Sequence, residues 1–258
     1  LWISDEKKIA FGKTKKISLL ANYFQAIRAN FLGESIHLTP LNDYFCFISN
    51  RNLMELKKVA LHDKHVEAGA RIIPFAGYEM PVRYTSDIDE HLAVRNSVGV
   101  FDVSHMGEFL VEGKGALDLI QYVTTNDASK LEIGQAQYSC LPNETGGIVD
   151  DLLVYRLREE QYMLVVNASN IRKDWDWINQ HNRFDARMEN ISDRVTLLAV
   201  QGPKAIDVLQ KITDLDLAAM KFYTFDTGKV NGITDGAIFS ATGYTGAGGF
   251  ELYIYNEF

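Results

Sequence analysis

The sequence predicts an α+β fold in which duplicated strand-helix-hairpin units bring antiparallel sheets together around a central cleft. Three observations predict it. The first is an internal repeat: Phe109 to Gln121 aligns with Leu198 to Gln210, with Val111/Val200, Gly113/Gly202, Ala116/Ala205, Asp118/Asp207 and Gln121/Gln210 identical. Each copy reads as strand, glycine turn and helix. Chance likeness between two such segments is the competing explanation. The second is an antiparallel meander, with strands at Gln137–Leu141, Ile148–Tyr155 and Tyr162–Val166 separated by turns at 142–147 and Glu159-Glu160. The third is the stretch Gly146 to Tyr155, which sets Asp150 and Asp151 side by side in apolar text.

The chain has 258 residues, 47% of them hydrophobic, enough to bury a sizeable core in one large domain or two small ones. A net charge of −8 argues against nucleic acid as a partner, because phosphate binding wants a basic face. No apolar run is long enough to predict a membrane span. Cys46 and Cys140 stand far apart without a CxxC or histidine-rich context, so neither a disulfide scaffold nor a metal site is expected, and a reducing cytoplasm is the default. Residues 1–53 are expected to be a dispensable extension. They cluster Lys7, Lys8, Lys13, Lys15 and Lys16 early, while Asp5, Glu6, Glu34 and Asp43 interrupt any targeting pattern. Regular text opens at Met54.

From Leu56 to Gly69 the spacing of Leu56, Val59, Leu61, His65 and Val66 predicts a helix ended by Gly69. Ile72 to Pro81 is rich in Pro and Gly and reads as an ordered loop. Ser86 caps a helix over Asp87 to Ser97, with acids in its first turn and Arg95 in its last. A strand over Glu108 to Glu112 leads through a glycine turn to a helix with Ala116, Leu119, Ile120 and Val123 on one face. The last predicted helix before the second repeat covers Ile171 to Gln180 and turns Trp175 and Ile178 inward. His105 reads as a structural histidine.

Chemistry is expected where carboxylates lose water. Side chains alternate along a strand, so Val149, Asp151, Leu153 and Tyr155 share one side while Ile148, Asp150, Leu152 and Val154 share the other. Both sides are apolar. Burial disfavours the charged form unless it is paired, which makes both aspartates site candidates; the alternative is a turn cap and a wet strand end. Asn167 stands at a strand end, either as a helix cap or as a ligand contact. Thr242 to Gly249 holds four glycines in eight residues, so backbone can approach a ligand closely there, and no GKS or GKT makes it a phosphate loop. Gly248-Gly249-Phe250-Glu251 is read as the second unit's equivalent of the hairpin that delivers Asp150 and Asp151, which would set a carboxylate from each unit into one cleft.

Six motifs in order carry a resemblance: Phe75 to Pro81, Phe101 to Gly107, Gly146 to Tyr155, Val165 to Ala168, Val200 to Pro203 and Thr242 to Glu251. From about Met54 onward the chain resembles the glycine cleavage T-protein family of aminomethyltransferases. The resemblance implies that the central cleft binds folate, and that an aminomethyl carbon passes from the lipoyl arm of H-protein to tetrahydrofolate with release of ammonia. It implies no metal. The family's catalytic aspartate falls on Asp151, and its pterin-binding carboxylate on Glu251. Tyr138, Tyr223, Tyr244, Met106 and Asn167 fall where the family lines its folate cavity. A family C-terminal β-barrel, with a substrate-contacting arginine and tyrosine, would lie beyond Phe258, so the chain is expected to be incomplete, and an inactive fragment is an alternative to an active enzyme. Ala247 stands where the family commonly has an acid. The implied location is the bacterial cytoplasm, or mitochondria in a eukaryote. A folate-binding iron–sulfur assembly protein of the same fold is the alternative, although its KGCYxGQE-like signature is absent; a sarcosine-type oxidoreductase would need an N-terminal GxGxxG that residues 1–53 lack.

Overall fold

A computed structural model of the chain describes residues 56–256 and two short paired strands, β1 (Ile3–Ser4) and β2 (Lys7–Lys8). The expected extension over 1–53 otherwise lies outside the described residues.

Two five-stranded antiparallel sheets stack on each other, and each carries helices on its outer face. The first is ordered β11 (Arg187–Asn190), β7 (Gly107–Glu112), β10 (Gln161–Val166), β9 (Ile148–Arg158), β8 (Ala136–Pro142). The second is ordered β13 (Phe225–Val230), β14 (Thr234–Ser240), β15 (Gly249–Tyr255), β12 (Val195–Gln201), β6 (Gly99–Asp102). Alternation decides what each side chain meets. Phe109, Val111, Leu152, Val154 and Leu164 pack outward against α3 (Ala116–Val123) and α4 (Ile171–Gln180). Phe239, Phe250 and Leu252 pack outward beside Ala205 and Leu209 of α5 (Ala205–Leu209). Between the sheets lie Tyr155, Met163 and Val165 of one and Leu197, Phe225 and Tyr253 of the other. Both sheets are therefore buried on two sides, which is why their strands read as nearly continuous apolar runs.

The duplication is real. In each unit the first strand pairs with the last, and the last pairs back through the middle strand to its hairpin partner: β7-β10-β9-β8 in one, β12-β15-β14-β13 in the other. Each unit also lends an edge strand to its neighbour. β6 precedes β7 in sequence but pairs with β12, and β11 precedes β12 but pairs with β7.

The same register corrects the expected place of Glu251. Val111 pairs with Tyr162, and its repeat mate Val200 pairs with Phe250, so Glu251 corresponds to Met163 of β10 and not to the carboxylates of β9. The second unit's counterpart of the β8–β9 hairpin is β13–β14. Glycine pairs occur near both segments, and glycine content alone misaligned them.

Two further expectations differ from the structure. Ile72 to Pro81 is a hairpin, β4 (Arg71–Phe75) and β5 (Tyr78–Arg83), because Ala76 at φ 51° and Gly77 at φ 83° form a two-residue left-handed turn. Pro74 lies on an edge strand, and Pro81 lies beyond the two residues that pair with β3 (Lys57–Lys58), so neither removes a needed donor. The first helix is only α1 (His62–Glu67), since Lys57 and Lys58 join β5 in parallel. The helix α2 (Asp87–Asn96) follows its sequence signal: Ser86 accepts a hydrogen bond from the Asp89 backbone at 3.1 Å. The FDVSHM motif is structural at its start. Asp102 accepts from Ser104 Oγ at 2.6 Å and sits 3.0 Å from His65, and these bonds hold its carboxyl low although burial pushes it up. His105 is buried and meets Phe75 and Tyr78 edge-on.

The repeat's glycine turns give a clean test of packing against backbone strain. A Cβ at Gly115 would stand 1.8 Å from the Phe184 carbonyl oxygen, whereas one at Gly113, with φ 97°, would meet nothing within 4 Å. In urea unfolding, Gly115→Ala is expected to cost about 3 kcal/mol or more, and Gly113→Ala only the left-handed penalty of about 1–2 kcal/mol. Equal costs would contradict this packing.

Candidate functional site

Strand β9 sends its two aspartates to opposite faces. Asp151 shares a face with Leu153 and Tyr155, toward the space between the sheets, and stays partly exposed at its edge. Its Oδ2 accepts from the Tyr138 hydroxyl at 3.1 Å, and its Oδ1 from Asn167 Nδ2 at 3.2 Å. Burial and the Asp151 charge push the Tyr138 hydroxyl up to about 12, so the phenol remains a donor. Asp150 points the other way, toward α4. Its Oδ1 accepts from the same Asn167 amide at 3.1 Å, and facing it is Asp174, fully buried. Burial first, then the hydrogen bond and charge of Asp150, push Asp174 up to about 8. Asn167 thus ties both aspartates and the Asp151 carbonyl at 3.1 Å to the end of β10.

The second carboxylate, Glu251 on β15, lies on the same inter-sheet side as Tyr253 and is 8% exposed. Thr242 Oγ1 donates to it at 2.5 Å. Behind that bond the Tyr155 hydroxyl lies 2.9 Å from Thr242, 3.0 Å from the Tyr253 hydroxyl and 3.1 Å from Ser240 Oγ, a buried cluster that spans both sheets. Burial raises Glu251, and the Thr242 bond only partly offsets it. Tyr244 is 61% exposed, and its hydroxyl is raised by its surroundings and by the charges of Glu251 and Asp151; Tyr223 is raised by burial and by Glu251. Met106 packs in the inter-sheet cluster.

The glycine-rich loop is held over this space by Gln201, which is 1% exposed. Its Oε1 accepts from Thr245 Oγ1 at 2.8 Å, and a Cβ at Gly243 would stand 2.2 Å from its Nε2. Arg95 donates to the carbonyls of Thr245 at 3.0 Å and Gly246 at 3.3 Å. The loop's glycines therefore serve close packing on a buried glutamine as well as the open cleft.

The structure groups the residues singled out in sequence. Tyr138 and Asn167 each hydrogen-bond Asp151; Glu251 stands on the opposite sheet; Met106 and Tyr223 pack against the inter-sheet cluster, and Tyr244 is exposed. Sequence reasoning missed Thr242, Gln201, Tyr253 and Asp174. For Asp174 a signal existed: it falls three residues after Ile171 and four before Ile178, on the helix's apolar stripe. A further buried acid, Glu108, is paired across the sheet with Val165; it is 1% exposed, its carboxyl has no hydrogen-bond partner, and burial raises it well above the ordinary range.

Residues 61–258 match the family model described as the GCVT N-terminal domain. The chain is 57% identical over 202 residues to an aminomethyltransferase of Flavobacterium psychrophilum and 58% identical over 202 residues to one of Bacteroides fragilis. In each case the match covers 78% of this chain and 56% of the relative, so the chain spans little more than half the length of these curated relatives. Among solved structures, the glycine cleavage system aminomethyltransferase T of Bartonella henselae is similar at a TM-score of 0.70 and 36% identity, over 77% of this chain and 54% of that one.

Asp174, Glu108 and Glu251 are all raised, so each ionises at a higher pH in the folded state than in the unfolded chain. Stability is then greatest below the ordinary carboxylate range, declines as pH rises, and levels off once the folded groups ionise, near 8 for Asp174. Urea midpoints should fall between about pH 5 and about pH 8, and Asp174→Asn should flatten part of that slope. A midpoint that rises over this interval would contradict the assignment.

Proposed function

The chain belongs to the GCVT family, and we propose that it supplies the folate-binding region of an aminomethyltransferase of the glycine cleavage system. In this reading the aminomethyl group carried on the lipoyl sulfur of H-protein is transferred to tetrahydrofolate. The carbon gains bonds to two folate nitrogens and loses its bonds to ammonia and to sulfur. The two protons released from those nitrogens leave with ammonia and with the thiol, and methylenetetrahydrofolate results.

The observation that carries this reading is that strands of two different sheets turn a carboxylate each, Asp151 and Glu251, to the side that faces the space between the sheets. A pterin presents a row of donors on one edge, which a carboxylate accepts in pairs; in this reading Glu251, held by Thr242, takes that edge. Its buried surroundings exclude water and strengthen the bond. The flat ring system wants aromatic and thioether walls, which Tyr223, Tyr244 and Met106 offer. Asp151, held by Tyr138 and Asn167, then orients a reacting folate nitrogen and receives its proton. Asp150 faces the helix and has no part in the chemistry. The partners are tetrahydrofolate as co-substrate and lipoylated H-protein. No helix among the described residues is long and apolar enough to cross a membrane, and the cytoplasm is the proposed location.

The test uses a protein of the relatives' full length. Asp151→Asn keeps shape and one acceptor but removes the charge, so turnover should fall by about two orders of magnitude or more while folate affinity changes little. Glu251→Gln turns one acceptor into a donor and should chiefly weaken folate binding, seen by calorimetric titration. Asp150→Asn should act mainly on stability, at roughly 1–3 kcal/mol. Equal turnover losses at Asp150 and Asp151 with unchanged melting would overturn the roles.

A further inference from the structure

The contact between Asp150 and Asp174 sets acceptor against acceptor. Asp174 is 0% exposed, and neither of its oxygens meets a donor. Asp150 is buried as well; Asn167 satisfies its Oδ1, while its Oδ2 has no donor. The neighbouring cation, Lys173, places its ammonium on the Val149 carbonyl at 2.5 Å, and Asp151 lies on the other face of the strand. Two ionised carboxylates packed so closely without a donor would repel each other in a region with no water to screen them. A single proton resolves this. It makes one carboxyl a donor and the other its acceptor, and leaves one charge where two would stand.

We propose that Asp150 and Asp174 hold one proton between them, and that this pair, through the shared Asn167 amide, acts as a positioning unit for Asp151. The linkage is geometric. Asn167 Nδ2 reaches Asp150 Oδ1 at 3.1 Å, Asp151 Oδ1 at 3.2 Å and the Asp151 carbonyl at 3.1 Å. With the proton in place, the Asp150 oxygens divide their bonds between Asn167 and Asp174. Loss of the proton leaves a second charge in the pocket, draws the Asn167 amide toward Asp150 and loosens its hold on Asp151. The charged and polar groups around the pair are Asn167 from the strand side, Asp151 on the strand's opposite face, and Lys173 from the helix. The positioning role rests on Asp151 being the reacting carboxylate; the shared proton does not.

Infrared and NMR titration of the ligand-free protein test both parts. Wild type should show a protonated-carboxyl C=O band that is lost as the solution is made alkaline. Glu108 and Glu251 are common to both proteins, so the wild-type minus Asp174→Asn difference spectrum isolates the pair. The Asn167 side-chain amide resonance should shift with the midpoint of that loss, and in Asp174→Asn, where a fixed amide donor replaces the proton, it should stay constant over the same range. Should that variant fail to fold, Asp150→Asn dismantles the same pair, and the wild-type Asn167 titration still decides. An Asn167 amide that does not titrate, or a difference spectrum with no acid band at neutral pH, would overturn the proposal. Neither readout involves folate, so a failure of the folate reading would leave these results unchanged. In the full-length enzyme, the alkaline decline in kcat should move in Asp174→Asn while folate KM holds.

Discussion

A strand packed on both faces sets two adjacent carboxylates in apolar text, and the architecture answers by giving Asp150 and Asp151 different surroundings, one buried and one partly exposed. Alternation along β9 separates them. Asp151 is turned to the partly open space between the sheets, where a phenol and an amide accommodate its charge; Asp150 is turned to the helix layer, where it shares the Asn167 amide and faces another carboxyl. A one-residue slip of the strand would exchange the two environments and bury Asp151 against α4. The register of β9 between β8 and β10 therefore fixes which aspartate can reach a ligand.

The duplication supplies the other half of the cleft. Because each unit donates an edge strand to its neighbour's sheet, neither sheet is complete without both halves of the described region. The hydroxyl cluster of Tyr155, Ser240, Thr242 and Tyr253 then fastens the two sheets at the depth where Glu251 sits. Net hydrogen bonds of this kind contribute about 1 kcal/mol each, but a partner stranded by a deletion costs more, so the cluster fixes geometry more than it adds stability. Glu251 inherits that rigidity through Thr242. Gln201 fixes the overlying loop in the same way, which gives the two sequence motifs around Gln201 and Gly243 one shared physical cause.

Much of this was legible in the sequence. The repeat named the duplicated units, the alternation around Asp150 and Asp151 named their opposite faces, and Ser86 marked a helix start. What stayed hidden depends on contacts between distant segments. The exchange of edge strands has no local signature, and it was register, read only from pairing, that moved Glu251 from the hairpin to β15. The Ile72 to Pro81 hairpin was obscured by prolines that are tolerated only because of their edge position, and by an alanine in the left-handed region. Asp174 was visible as an acid on an apolar stripe, yet its meaning required knowing that Asp150 faces it.

The most direct test of the account is a crystal structure of a full-length relative-sized form of this protein soaked with a tetrahydrofolate analogue. The account predicts the pterin edge on Glu251, its ring beside Tyr223 and Tyr244, and a folate nitrogen within hydrogen-bond reach of Asp151. An analogue seated away from the inter-sheet cleft, or one that contacts Asp150 while leaving Asp151 free, would contradict it.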